Sequence, residues 1–503
     1  MTAISADSKP AASWFKPLAT ALGFVGAVLI YWFSRSQWGL ENPAAMTAAV
    51  TTLCAVWWST EAIPIPATSL VPFAVFPLMG VLDHNELAEA WGDKFILLFA
   101  GGFMISRAAE KADAHLRVAR GVIKLVGTAS NRRVVIGFML ATAFCSMWIS
   151  NTATALIMLP VAVAVIQQNP GRPRFAISLL LAIAYGSSIG GMATVIGTPP
   201  NGVMISNYEK VLPGSSIDFL TWMKIGVPVT ALMLLGCAAV LTLRVSGPGQ
   251  KMRDDLGPWT AGQVRVLLVI GATAALWITR NLPFGWGGWS EWLDMPKAHD
   301  ATIAMLAVVV MFLIPNGRRN DDGSRDHLLD WKTAREIPWG ILLLFAGGLA
   351  IAKAFGTTGL ADAIGGALNH YTEGLHPFMV IAVICLIVTF FTEVTSNTAS
   401  TTLLMPILAG AAIGRGLDPA VLMIPAALSA SCAFMLPVAT PPNAIVFGGA
   451  DQLTIPHMVR HGVILNLVGV AVVSVCCYFI LDPHTGLDGQ RPAQLQAPAA
   501  AAP

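Results

Sequence analysis

The sequence predicts an all-α polytopic membrane protein: two inverted-topology repeats, eleven transmembrane helices plus two re-entrant hairpins, with broken helices at matching places. Three observations carry that expectation. Apolar runs long enough to cross a hydrocarbon layer of ~30 Å recur from end to end. Two apolar stretches are long enough for a pair of short helices, and each holds a polar triplet near its middle. The second half of the chain repeats landmarks of the first at a fixed shift of 246 residues.

Hydrophobic residues fill 55% of the 503 positions and charged residues 12%, about half the charged share of a soluble domain. The runs are continuous, unlike the alternating segments of roughly ten residues in a membrane β-barrel. No polar stretch is long enough for a second, soluble domain, and a net charge of +2 offers no field for nucleic acid.

The first span covers 18–34, behind a short polar lead without the small-residue exit of a cleaved signal. Spans at 43–60, 63–81 and 95–109 follow. The stretch 134–167 reads as a hairpin that dips into the membrane and returns, with Ser150-Asn151-Thr152 at its tip. The next span, 176–206, is broken, because Thr198-Pro199-Pro200 cannot continue a helix: proline lacks the donor and clashes with the preceding turn. The glycines of GSSIGG (186–191) loosen it just upstream. Spans at 221–243, 263–279, 300–315 and 339–356 are uninterrupted. The second hairpin, 377–411, carries Ser396-Asn397-Thr398, and the second broken span, 420–449, carries Thr440-Pro441-Pro442. A last span covers 461–481, and the Ala/Pro/Gln-rich tail is expected to be disordered. The organisation is thus a lead and first helix (1–42), repeat 1 (43–245), repeat 2 (246–482) and a tail (483–503).

Lysine and arginine set the direction. Arg107, Lys111, Arg117, Arg120, Lys124, Arg132 and Arg133 precede the first hairpin, and Arg172 and Arg174 follow it, so both flanks belong inside. The second hairpin follows Asp362, His370, Glu373 and His376 and precedes Arg415 and Asp418, flanks that read as external. The basic loops 244–265 and 318–335 fall inside, and the loop with Trp286, Trp289 and Trp292 falls outside. The N-terminus is then cytoplasmic and the C-terminus external.

FILLFAGGFMI (95–105) matches ILLLFAGGLAI (341–351), which pairs Phe99 with Phe345. Asn151 pairs with Asn397 and Pro160 with Pro406 at the same shift of 246, and IGTPPN pairs with ATPPN at 242. Five spans separate equivalent points, an odd number, so the second copy enters upside down. Inverted repeats whose interrupted helices meet at mid-membrane are the architecture of secondary transporters.

The same shift maps Ser146 onto Thr392, Ser150 onto Ser396 and Thr152 onto Thr398. Ser146 and Ser150 are four apart and share a helix face. Each tip therefore offers two hydroxyls, an amide oxygen and free backbone carbonyls. Hard neutral oxygens suit an alkali cation such as Na⁺, and zinc would want His, Cys or carboxylate. A break at mid-membrane exposes carbonyls to a cation and helix-end N–H groups to an anion. Ser, Thr and Asn also serve as interhelical glue, but duplication beside two Thr-Pro-Pro-Asn breaks favours function. The FAGG repeats read as close helix packing, and the seven cysteines, all in apolar runs, as small filler.

No Lys or Arg lies within 134–167, 176–206 or 377–411. A dianion brought there finds no fixed positive charge, and uncompensated charge in low dielectric is very costly. Bound cations would supply it, which favours symport over uniport. Glu61 and Glu393 are acids within apolar runs. Glu393 either tunes cation affinity or pairs with a base, and Glu61 reads as structural. An intramembrane hydrolase would need His or Asp beside Ser150 or Ser396, and neither is there, so the chain is not expected to be an enzyme.

The motifs SNTATALIMLP, TSNTASTTLLMP, IGTPPN, ATPPN and WWSTEAIPIPATSLVP resemble those of the divalent anion:sodium symporter family, the INDY-like carriers of di- and tricarboxylates, over about 51–481. The resemblance implies a homodimer in the plasma membrane, a bacterial inner membrane, with a mobile transport domain moving in an elevator motion against a fixed scaffold. It implies one sodium on Ser146, Ser150, Asn151 and the Gly197 carbonyl. It implies another on Thr392, Ser396, Asn397 and the Ala439 carbonyl, with Thr395 nearby. Substrate carboxylates would meet Asn151, Thr152, Asn397 and Thr398, with Thr198, Thr440 and Pro441 lining the pocket. The expected function is sodium-coupled symport of a C4-dicarboxylate such as succinate, fumarate or malate. The alternatives are a sodium-independent dicarboxylate exchanger and a sodium symporter for citrate or sulfate.

Overall fold

The computed structural model describes residues 15–249, 257–282, 286–319, 323–372, 374–449 and 452–482. Most of the expected lead, Glu373 and the tail 483–503 lie outside the described residues.

The chain opens with α1 (Phe15–Ser36) packed on α2 (Asn42–Thr60). The expected third span is two short pieces, α3 (Ile65–Thr68) and α4 (Val71–Leu78), each opening on a proline in its first turn. Proline cannot donate to the preceding turn, so one helix cannot run through both. Together they cover Ile65–Leu78, roughly 20 Å of rise, short of a full crossing. Next come α5 (His84–Trp91), closed by an Asp83–Glu86 capping box, and α6 (Lys94–Lys111), capped by Asp93. A helix outside the expected spans follows, α7 (Ala114–Val126). It buries Ala114, His115, Ala119 and Ile123 along one stripe and leaves Leu125 88% exposed, an amphipathic pattern too short and too charged to read as a span.

The first hairpin forms as expected from α8 (Asn131–Ser146) and α9 (Asn151–Gln167). The first broken span is α10 (Pro173–Gly191) and α11 (Pro199–Val211). Then come α12 (Phe219–Thr242), α13 (Ala261–Ile278), the one-turn α14 (Trp289–Trp292) and α15 (Asp300–Leu313). An antiparallel pair, β1 (Pro315–Arg319) and β2 (Arg325–His327), is a further element the hydropathy did not show. After α16 (Trp331–Ala334) and α17 (Trp339–Thr357) comes α18 (Leu360–Thr372), again outside the expected spans. The second hairpin is α19 (Pro377–Phe391) and α20 (Asn397–Gly414). The second broken span is α21 (Ala420–Ala430) and α22 (Pro441–Gly448), with one 3-10 turn, Pro437–Ala439, in a wide break. α23 (Ile455–Ile480) closes the described chain. Six of these helices are long and apolar enough to cross a membrane, so the protein is a polytopic helical membrane protein.

Helix boundaries recur at the sequence's own shift. α7 and α18 start at 114 and 360, α8 and α19 at 131 and 377, α9 and α20 at 151 and 397, each pair 246 apart. α11 and α22 start at 199 and 441, 242 apart.

Most of the packing falls into two bodies, with α2 and α17 also touching α20 and α17 touching α11. α8–α12 and α19–α23 pack on one another, while α1–α6 pack with α13, α15 and α17. α7 lies on α8 and α18 on α20. The seven cysteines are buried and free. Ion pairs join segments that the charge reading puts on one side. Lys94–Glu209 (2.6 Å), Lys210–Asp93 (3.4 Å), Lys353–Glu89 and Arg280–Asp300 (2.7 Å) belong to loops read as external. Arg107–Glu110, Arg107–Glu336, Lys111–Asp326 and Lys111–Asp330 (both 2.6 Å) belong to loops read as internal.

Candidate cation and substrate site

Each hairpin breaks where a hydroxyl residue finds a better use than continuing the helix. Ser150 caps α9, its side chain accepting from Ala153 N–H at 3.2 Å, and Ser396 caps α20 from Ala399 N–H at 3.5 Å. Such caps satisfy N–H groups that the first turn leaves free. The first residue of each new helix is the asparagine of the triplet. Asn151 and Asn397 are half-buried, as are Thr152 and Thr398, while Ser146 and Thr392 behind them are fully buried.

Ser146 Oγ lies 2.5 Å from Asn151 Oδ1 and 2.8 Å from Ser187 O. Thr392 Oγ1 lies 2.7 Å from Asn397 Oδ1 and 3.2 Å from Ala430 O. The two clusters have the same make-up: one hydroxyl, one amide oxygen and one carbonyl from the helix ahead of the break. A hydroxyl has one proton, so each cluster has two acceptors competing for a single donor.

In the first cluster the excess is larger. The site occupied by Asn151 Oδ1 is also 3.3 Å from Gly197 O and 3.1 Å from Ser187 O, so this oxygen faces acceptors alone. Turned over, the amide would place its NH₂ there and donate to Ser146 Oγ, Ser187 O and Gly197 O. Either a donor or a cation has to stand among these oxygens. Oxygens at right angles around an ion, each about 2.4 Å from it as in calcium sites, lie about 3.4 Å apart. The groups present, a hydroxyl, an amide and backbone carbonyls, are of the type an alkali cation takes when the amide turns its oxygen inward.

The break loop presses directly on this cluster. A Cβ on Gly191 would come 2.7 Å from Asn151 Oδ1, and one on Gly197 would come 2.5 Å from Gly191 O. Only glycine permits that approach.

The structure gathers Ser146, Asn151 and Gly197 in one cluster and Thr392 and Asn397 in the other. It uses the Ser150 and Ser396 hydroxyls as helix caps. Thr395 donates to Phe391 O at 2.9 Å and meets Ser400 Oγ at 2.6 Å, so its hydroxyl ties the hairpin turn instead. Among the described residues no hydrogen bond joins the Ala439 carbonyl to Asn397. Thr198 and Thr440 are the N-caps of α11 and α22, and Thr440 Oγ1 accepts from Asn443 N–H at 3.3 Å. Pro441, the first residue of α22, is exposed. The carbonyls of Ser187 and Ala430 were missed by motif reading. A carbonyl leaves no mark in sequence, and GSSIGG was the one hint.

Helices of the two halves pack in exchange. α9 packs on α22, and α20 packs on α11. Four helix N-termini, at Asn151, Pro199, Asn397 and Pro441, thus belong to interlocked pairs, and each carries partial positive charge. At α11 and α22 the first two residues are prolines without N–H groups, so only α9 and α20 keep backbone donors at their first two positions.

Among the described residues Glu393 forms no ion pair with a base. Its buried carboxylate accepts from Phe434 N (2.7 Å), Met435 N (2.9 Å), Leu436 N (3.1 Å) and Asn466 Nδ2 (2.7 Å), gathering the second break loop. Glu61 ends α2 in the left-handed region (φ 48°) and is exposed.

The family model for citrate transporters (CitMHS) matches residues 55–419. The sodium-dependent dicarboxylate transporter SdcS of Staphylococcus saprophyticus is 38% identical over 479 residues, 91% of this chain and 90% of its own. The protein of that name from Staphylococcus aureus strain MRSA252 is 38% identical over 471 residues, 89% of this chain and 88% of its own. Among solved structures, the YdaH transporter of Alcanivorax borkumensis superposes with a TM-score of 0.56 at 14% identity, over 86% of this chain and 98% of that one. MtrF of Neisseria gonorrhoeae, described within a class of antimetabolite efflux pumps, superposes with 0.57 at 12% identity, over 89% and 97%. At these identities the solved structures establish the transporter fold and nothing finer. The citrate-transporter model spans most of the chain, and its sodium-dependent dicarboxylate relatives match nine-tenths of it, so the chain belongs to this transporter family, in the divalent anion:sodium symporter group that its Ser-Asn-Thr and Thr-Pro-Pro motifs resemble.

Proposed function

We propose that the protein is a sodium-coupled symporter of C4-dicarboxylates, working by elevator-type alternating access. The observation that carries this reading is the pair of matching oxygen clusters, Ser146–Asn151 and Thr392–Asn397, each short of donors and each without a Lys or Arg in its hairpin. Sodium ions at both clusters supply the positive charge that makes a dianion tolerable between them. The dianion's carboxylates rest on Asn151, Thr152, Asn397 and Thr398 and face the helix starts at Thr198, Thr440 and Pro441. Without the ions the substrate has no countercharge, so ion and substrate travel together.

Two inverted repeats with two hairpins are supported by the matching helix boundaries, by Phe99 meeting Phe345, and by ion pairs that keep to one expected side; the count of eleven crossings takes α3 and α4 together as one. On this reading the N-terminus is cytoplasmic, the C-terminus external, and repeats 43–245 and 246–482 face each other. The body of α8–α12 and α19–α23 carries both clusters, and it moves against the other body as a homodimeric scaffold, with α7 and α18 as the arms between them.

Reconstituted protein should accumulate labelled succinate only under an inward Na⁺ gradient. Equal uptake with choline in place of sodium removes the reading. Competition by citrate or sulfate stronger than by fumarate and malate replaces the substrate class.

A further inference from the structure

Asn201 and Asn443 close the two Thr-Pro-Pro-Asn motifs, and the functional reading has given them no task. Both are fully buried. Asn201 Nδ2 donates to Gly191 O at 3.1 Å and Thr194 O at 2.7 Å. Asn443 Nδ2 donates to Ala433 O at 3.1 Å and Leu436 O at 3.0 Å. Donors and acceptors correspond one by one, each 242 residues apart. The same two-pronged clamp stands in both halves, spanning the ends of each break loop.

We propose that Asn201 is a positioning residue that fixes the radius of the first cation site, and thereby the preference for Na⁺ over a smaller alkali ion, with Asn443 as its counterpart in the second half. This rests on the sodium-coupled reading. An amide NH₂ has two donors, and each clamp uses both on carbonyls of its loop. The first clamp holds Gly191, whose backbone abuts Asn151 and the Gly197 carbonyl. Where Gly191 sits therefore decides how far Gly197 O stands from the amide oxygen. Selectivity among hard cations depends on cavity size, ligand number and flexibility. Held carbonyls keep a distance suited to Na⁺, whereas loosened ones can follow a smaller ion inward.

The halves differ in what else holds the loop. The second loop is gripped from its N–H side by Glu393, which binds Phe434, Met435 and Leu436. The residue equivalent to Glu393 at a shift of 246 is Met147, which has no carboxylate. The first loop has Thr194 Oγ1 donating to Met147 O at 2.6 Å and accepting from Gly197 N at 3.1 Å. Losing Asn201 therefore loosens its site more than losing Asn443 does.

The test measures the Na⁺ and Li⁺ concentrations that half-saturate succinate uptake, and those that half-maximally raise the melting temperature of the purified carrier with succinate present. Asn201→Ala should raise the Na⁺ requirement about tenfold and the Li⁺ requirement much less, shifting the Na⁺/Li⁺ ratio about fivefold. Asn443→Ala should shift it the same way by about twofold. A merely structural role would lower stability and transport without moving that ratio. If Asn201→Ala does not fold, Asn443→Ala, with Glu393 still holding its loop, decides. Wild-type sodium dependence with an unchanged ratio in the folded variants overturns the clamp alone. Wild-type uptake indifferent to alkali ions takes down the sodium-coupled reading as well.

Discussion

Phe99 and Phe345, 246 residues apart in the chain, meet edge to face with ring centroids 5.0 Å apart. A residue touches its own counterpart only close to the axis that relates two copies. The FAGG helices α6 and α17 meet at these rings, as the proposed pair of inverted repeats requires. Gly102 faces Ile196 of the first break, and Gly348 leaves no room for a Cβ beside Thr402 of α20. Gly348 lets its framework helix approach the site-bearing α20 closely, a packing role, whereas a Cβ at Gly102 would meet Ile196 at an ordinary 3.4 Å.

Asn151→Ala and Asn397→Ala should each reduce uptake to background while melting within a few degrees of wild type. Each removes the amide oxygen of one cluster and, on the proposed reading, a carboxylate contact of the substrate. Uptake in proteoliposomes beside thermal melting checks both halves of this expectation.

Ser146→Ala removes the one hydroxyl in the first cluster and should raise the sodium concentration for half-maximal uptake about five- to tenfold. Thr392→Val, nearly equal in shape, should act alike at the second. Sodium titrations showing wild-type dependence in either variant would exclude that residue as a ligand.

Glu393→Gln replaces a carboxylate that accepts four hydrogen bonds by an amide whose NH₂ faces donors. Bonds to a charged acceptor are worth about 1.5–3 kcal/mol each, so a loss of at least about 3 kcal/mol is expected. A melting temperature unchanged from wild type would contradict the role of this carboxylate in holding the second break.

His299, in the loop ahead of α15, accepts from Ala301 N–H through Nδ1 at 3.3 Å. Burial, then the cations Lys94 and Arg280, push its pKa down to about 3. The unfolded chain, with a histidine near 6.5, takes up the proton first on acidification. The stabilisation from neutral His299 is thus complete above about pH 6.5 and lost as pH falls towards 3. Melting curves of wild type against His299→Gln between pH 7.5 and about 5 should show the steeper acid loss in wild type.

Trp148, in the first hairpin turn, stacks on Phe219 (6.1 Å, 25°), and Phe219 stacks on Trp277 (4.8 Å, 24°). Phe219 begins α12 of the site-bearing body and Trp277 ends α13 of the other, so this stack crosses the boundary that an elevator motion must slide. Cysteines at 219 and 277, joined by a short thiol-reactive bridge, should stop uptake until the bridge is reduced. Full-rate uptake by the bridged protein would show that these bodies do not move apart there.

Much of this protein was legible in its sequence, because the bilayer enforces simple rules. Long apolar runs, basic flanks and proline breaks follow from solvation of single segments, so both hairpins and both broken spans could be located before any packing was known. The fixed shift paired Ser146 with Thr392 and Asn151 with Asn397, since a duplicated site keeps its spacing. α7 and α18 escaped because short amphipathic helices resemble polar loops in hydropathy, and the β1–β2 pair because its residues are charged. The span at 63–81 was read as one helix, although its prolines divide it. Which oxygens face one another was decided only in three dimensions. The carbonyls of Ser187 and Ala430 come from helices some forty residues away, the Ser150 and Ser396 hydroxyls turn to capping, and Glu393 turns to a loop of the second break. Side-chain identity states what chemistry is on offer, but hydrogen bonds and ion contacts depend on tenths of an ångström between segments distant in the chain, and that spacing is set by packing.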